Sequence, residues 1–225
     1  MTDQNSTLYL LTIPGKLAPK TLEAARQVHN ESAGAPANVA AARSLGDLSH
    51  MVYVPAGEAS PAGDFLIMDV WNRLDGLNTF FADPHVQEGG GLIFSQRNPM
   101  VWMPAPGFTS YHLPAPYGKN ERFIGVVLGK VRSVDQACEI HNALVGGAIN
   151  QARAAGNLSH EAYLRMAQPG TPEALDFLAV DTWQDLASMG QYYNQPGFME
   201  NLVKMFAGEP MATVWQHPAG AWAEW

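Results

Sequence analysis

Cysteine and positive charge are what this sequence has least of. Cys138 is the only cysteine, so no intramolecular disulfide can form and no thiolate-rich zinc site can be built. Lysine and arginine total 13 against 21 aspartates and glutamates, a formal net charge of −8, and no basic run breaks that deficit. Nucleic acid and anionic membrane surfaces are therefore poor partners. No apolar stretch approaches the ~20 residues that span a bilayer. The opening MTDQNSTLYLLTIPGK also lacks the basic region of a secretory leader. The expectation is a cytoplasmic protein with no membrane partner. Catalytic signatures are missing as well: there is no GxGxxG after a strand, no phosphate-binding loop, no HExxH and no GxSxG. Gly89–Gly91 lies inside a helical pattern, without a phosphate-loop lysine. No metal site is expected.

What is present is a large apolar fraction, 47%, with 10% aromatics and 10 methionines, enough for a sizeable and adaptable core. One phrase also occurs twice. GDLSHMVY, 46–53, returns as GNLSHEAY, 156–163. Around it, His29-Asn30 matches His141-Asn142, Asp64-Phe65-Leu66 matches Asp176-Phe177-Leu178, and Asp69 and Trp71 match Asp181 and Trp183. Pro84 and Phe94 fall on Pro196 and Phe206. The chain reads as a tandem of two repeats, 1–115 and 116–225, with LPAPYGKNE between them as a linker.

Each repeat carries the same element order. STLYLLTI and RFIGVVLG are strands by their β-branched and aliphatic content. Helices begin at Thr21 and Ser133, the latter with Gln136 in a capping-box pattern. Leu22, Ala25 and His29 recur at helical spacing, as do Val134, Ala137 and His141, which puts both histidines on the inward stripe. Two more strands, a helical region broken at Pro84 or Pro196, and a closing strand at Met100–Met103 or Met211–Trp215 complete the order β-α-β-β-α-β. The fold class is α+β, with two ferredoxin-like repeats. A four-stranded sheet covered by helices on one face leaves the other bare, and duplication lets two bare faces bury each other.

LIMDVWNRLDGLNTFFADPHVQEG, residues 66–89, resembles the dimeric α+β-barrel superfamily, the antibiotic-biosynthesis-monooxygenase-like group. The likeness extends to both halves, with NQPGF replacing ADPHV in the second. It implies an intramolecular dimeric α+β barrel, a pseudo-dimer within one chain, with further homo-oligomerisation left open. It also implies a small-molecule enzyme, since relatives oxygenate, cyclise, isomerise or cleave aromatic and polyketide-like compounds. Some relatives carry haem on one axial histidine, which makes haem the alternative to a cofactor-free protein. The fold alone does not select among these.

The repeated phrase gains meaning when the PAGEASPAGD loop is closed symmetrically. That register opposes Val54 with Phe65, Val52 with Ile67, His50 with Asp69 and Leu48 with Trp71. The second repeat gives Leu164–Phe177, Ala162–Ala179, His160–Asp181 and Leu158–Trp183. Opposed residues share a face, so a His–Asp pair stands twice on an apolar wall. A carboxylate on one imidazole nitrogen fixes the tautomer and leaves the other nitrogen as a base. His50, Asp69, His160 and Asp181 are thus catalytic candidates, with Trp71 and Trp183 as walls of a site for a small apolar or aromatic molecule.

His29 and His141 join them if that face looks toward the helices rather than away. Otherwise they serve the helix C-termini, with Asn30 and Asn142 ending the helices. The resemblance adds His85, whose Pro-His turn borders the substrate cleft in relatives. Tyr53, Tyr163 and Tyr192 are candidate substrate contacts. The competing reading is structural: a buried histidine and a buried aspartate satisfy each other, in a module that binds a small ligand without turnover.

Overall fold

The computed structural model describes residues 7–56, 63–112, 122–167 and 175–225. The linker LPAPYGKNE and most of the PAGEASPAGD loop lie outside the described residues. The chain forms two compact units. One comprises Met1–Met103 with His217–Trp225, the other Pro104–Gln216.

The first unit contains β1 (Tyr9–Leu17), α1 (Leu22–Glu31), α2 (Pro36–Leu45), β2 (Asp47–Pro55), β3 (Asp64–Trp71), α3 (Leu74–Ala82), α4 (Pro84–Ile93), β4 (Phe94–Arg97) and β5 (Met100–Pro104). The second contains β6 (Tyr111–His112), β7 (Phe123–Lys130), α5 (Val134–His141), α6 (Gly147–Ala154), β8 (Asn157–Arg165), β9 (Asp176–Trp183), α7 (Leu186–Tyr193), α8 (Phe198–Leu202) and β10 (Met211–Gln216). In each unit the two central strands of the split βαβ pattern pair antiparallel: β3 with β1 and β2, β9 with β7 and β8. β5 and β10 add to the far sides of β1 and β7.

Local chemistry accounts for the element ends. Thr21 and Ser133 cap α1 and α5, each accepting from a backbone N–H three residues on. The sequence pattern does not separate α2 from α1; Pro36 at the first turn restarts the helix after residues 32–35. Gly46 (φ 109°) and Gly156 (φ 103°) adopt left-handed backbone as the chain turns from helix into β2 and β8. This explains the glycine that opens the repeated phrase. In the second unit a π turn at Asn142–Gly146 joins α5 to α6 without a break.

The inward face of each sheet packs under its helices. Phe65, Trp71 and Val52 in one unit, and Phe177 and Trp183 in the other, have no exposed surface. Burying each large apolar side chain is worth roughly 1.5–3 kcal/mol. His50 stands opposite Asp69 and Val52 opposite Ile67, the register expected from the loop. One pairing differs. Trp71 opposes Asp47 rather than Leu48, and Trp183 opposes Asn157 rather than Leu158. A bulge at each strand start pushes the leucine out of register, leaving Leu48 46% exposed, and turns Asp47 and Asn157 inward.

A strap closes the helix side of each unit. In the first unit it is residues 217–225. Asn30 Nδ2 donates to the Ala221 carbonyl and Asn30 Oδ1 accepts from the Ala223 N–H, both at 2.9 Å. In the second it is residues 105–112, with Asn142 Nδ2 on the Gly107 carbonyl (2.8 Å) and Asn142 Oδ1 on the Thr109 N–H (2.7 Å). Trp225 then exchanges backbone hydrogen bonds with His50, as Tyr111 pairs with His160. Asn30 and Asn142 are therefore clamps, not simple helix terminators.

Candidate functional site

β2, β3 and α1 bring three polar side chains together inside the first unit. His50 Nδ1 lies 2.7 Å from Asp69 Oδ1, and His50 Nε2 lies 2.9 Å from His29 Nε2. His29 Nδ1 in turn lies 3.2 Å from Asn30 Oδ1. The second unit repeats the chain as Asp181–His160–His141–Asn142, at 2.8, 2.8 and 3.2 Å. The His–Asp face thus looks toward the helices, and His29 and His141 converge on it. All six of these histidines and aspartates are at most 7% exposed.

Proton positions follow from the strap. Because Asn30 Oδ1 accepts from the Ala223 N–H, it also accepts from His29, so His29 Nδ1 carries hydrogen. A neutral His29 then offers Nε2 as an acceptor, and His50 must donate from both nitrogens, one to His29 and one to the Asp69 carboxylate. The electrostatics agree. Burial, and then the neighbouring His50 charge, push His29 down to about 4. Burial opposes charge on His50 too, but Asp69, Asp47 and Glu224 outweigh it and raise its pKa. His141 is likewise lowered to about 4, by burial and by His160.

This arrangement departs from the expected one. Asp69 does fix His50, but the second nitrogen of His50 is taken by His29 rather than left for a substrate. The group with an open side is Asp47, which sequence reasoning missed because the bulge that turns it inward leaves no mark on periodicity. Asp47 is 3% exposed and lines the cavity beside His50 and Asp69. Burial and the Asp69 charge raise its pKa to about 8. The Trp225 indole favours its carboxylate weakly, yet the indole Nε1–H makes no hydrogen bond of normal geometry. One signal was available in the sequence: the second residue of the repeated phrase is Asp in one copy and Asn in the other.

The two cavities differ accordingly. The first encloses about 690 Å³, open mouth included, between the sheet and α3 and α4, with Phe80, Phe81 and Ile67 as walls. His85 and Arg97 also line it, the His85 side chain being 89% exposed. Asp83 caps α4 by accepting from the His85 N–H at 2.8 Å. The second cavity is smaller, about 480 Å³, and tyrosines crowd it. There Tyr111 donates to Asn157 Oδ1 (2.8 Å), Asn157 Nδ2 donates to Asp181 (3.3 Å), and Trp183 Nε1 donates to the Tyr193 hydroxyl (3.3 Å). In the first unit Phe81 replaces Tyr193, and Trp71 Nε1 is buried without a partner.

The remaining candidates divide. Trp183, Tyr192, His141 and His160 line the second cavity. Trp71 and His29 sit just behind the first, fully buried, Trp71 against Phe80 and Phe81 and His29 against His50. Tyr53 and Tyr163 point to the opposite sheet face, where Tyr53 packs on His217 and the Tyr163 hydroxyl bonds Glu161. Among the described residues, no group of three or more His, Cys, Asp or Glu is placed to hold a metal ion.

No protein-family profile and no curated protein matches the chain. Solved structures do. An anthrone oxidase-like protein superposes with a TM-score of 0.64 at 15% identity, over 96% of this chain and 93% of its own. A candidate monooxygenase from Fusobacterium nucleatum reaches 0.64 at 11% identity, over 94% and 93%. A haem-binding protein from Thermus thermophilus reaches 0.56 at 15% identity, over 94% and 90%. The fold is that of the dimeric α+β barrels. No described helix is long and apolar enough to cross a membrane.

Proposed function

We propose that this chain, a dimeric α+β barrel by fold, is a small-molecule enzyme that deprotonates an apolar aromatic substrate in the cavity of its first unit. The observation that carries the reading is the buried Asp69–His50–His29 chain at the floor of that cavity, where a charged imidazolium faces apolar walls. A fixed positive charge in a water-poor site stabilises the anion formed when a C–H or O–H proton leaves. His50 and Asp69 hold that charge, and His29 and Asn30 hold the ring in place. Phe80 and Phe81 supply the flat contact, and His85 stands at the mouth.

The likeness to an anthrone oxidase-like protein supports a substrate of that kind, a fused aromatic ketone with an acidic methylene. Its carbanion reduces O2 itself. One oxygen atom becomes the new carbonyl, and the other leaves as water with the two methylene protons. Isomerase, cyclase and lyase outcomes begin from the same anion. The His160–Asp181 pair, in the tighter cavity, then serves mainly to hold the second unit together.

Haem-binding neighbours raise the alternative of a haem held by histidine. An axial ligand needs an uncommitted imidazole nitrogen. Both ring nitrogens of His29, His50, His141 and His160 already face a partner. These four do not fit that role as they stand.

His50→Gln is the test. Turnover of anthrone, followed by oxygen uptake, should fall at least ~100-fold, the usual contribution of acid–base machinery, while cooperative unfolding persists. Unchanged uptake in that variant would remove His50 from the chemistry and leave a ligand-binding module.

A further inference from the structure

We infer that Asp47 is the group that takes the proton from the substrate, and that the chain therefore has one working cavity rather than two. The inference rests on the acid–base reading above and names the atom that reading leaves open. Three observations converge on it. The bulge at Leu48 turns Asp47 onto the inward face, where it lines the first cavity beside Asp69 and His50. The histidines next to it have no uncommitted nitrogen. The third observation is a control within the same chain: at the matching place the second unit has Asn157, an amide with no proton-accepting carboxylate, tied to Tyr111 and Asp181.

The step is simple. An Asp47 carboxylate oxygen takes the methylene proton, the C–H bond breaks, an O–H bond forms, and the electron pair passes into the ring-stabilised enolate. In reverse, the acid returns the proton to carbon. Asp47 is flanked by Asp69 from β3, by His50 and the Ser49 N–H from its own strand and by Trp225 from the strap, while Glu224 acts on the neighbouring His50 and α4 and β4 bring His85 and Arg97 to the same cavity. The paired carboxylates disfavour a second negative charge, which keeps Asp47 basic enough to act near neutrality.

The experiment is hydrogen–deuterium exchange of the anthrone methylene in D2O under nitrogen, so that no oxygen chemistry enters, with binding followed by quenching of tryptophan fluorescence. The full chain should catalyse exchange above the solvent rate, rising with pH and levelling above about 8. Asp47→Asn should bind the probe yet lose exchange at least ~100-fold. It should also fold, because the second unit already carries asparagine at the same bulge. Residual exchange near half of wild type would mean that the second cavity works, and overturns the inference. Wild-type exchange in Asp47→Asn, or a flat pH profile, overturns it too, while leaving the His50 test to decide the broader reading. No exchange by the unaltered protein overturns both.

Discussion

Asp47 and His29 are both held away from their ordinary ionisation, in opposite directions, and stability should record it. A group that keeps its proton longer when folded stabilises the fold as pH falls; one that loses it sooner does the reverse. His29 and His141 drop from 6.5 to about 4 on folding. Between those values the unfolded chain binds more protons, so acid should destabilise the protein by up to ~3 kcal/mol per histidine. Asp47 rises from 3.8 to about 8 and opposes one of the two. His50, with its raised value, contributes fully below 6.5 and adds no slope there. Asp47→Asn should therefore be more stable than the wild type at pH 7, by on the order of 4 kcal/mol, with the gain vanishing near pH 4. Urea midpoints from pH 4 to 8 for both proteins read this difference directly. A variant that is less stable at pH 7 would contradict the buried, protonated carboxyl.

The straps and the glycine contacts make predictions for the elements. Asn30→Ala removes both hydrogen bonds that hold residues 221–223. It should cost about 1–3 kcal/mol and speed amide exchange across 217–225 while leaving 105–112 protected. Gly76 tests the packing of α3 on α2: a Cβ there would stand 1.7 Å from the Leu45 carbonyl oxygen, which is backbone and cannot rotate away. Gly76→Ala should lower the unfolding midpoint by the equivalent of roughly 1–3 kcal/mol. The repeat and the strand pairing were legible in the sequence because alternation and a symmetric loop determine which residues oppose, and His50–Asp69 followed from them. The bulge was not. One extra residue changes no composition and little periodicity, so Leu48 was read as the partner of Trp71 and Asp47 was passed over. The straps escaped for a different reason: Asn30 meets Ala221 and Ala223, and nothing local in sequence announces contacts across that separation.

For the whole molecule, the cofactor question has a direct readout. The protein as purified should show no Soret band if its buried histidines keep the partners described. A Soret band that persists through gel filtration would mean that one of these pairs opens to take haem, or that His85 supplies the ligand. Fold class could be read from matched residues in the two halves, and the solved structures share that fold across nearly the whole chain. The inequality of the halves was visible only in single letters such as Asp47 against Asn157 and Phe81 against Tyr193. The strap on the first unit also sets an order in time. Residues 104–216 are contiguous, whereas the first unit is made in two pieces separated by the whole of the second. The first unit, begun earliest, must wait with its histidine pair uncovered until residues 217–225 have been made. A cut after Gln216 would thus spare every residue of the second unit and take from the first the segment that covers His50.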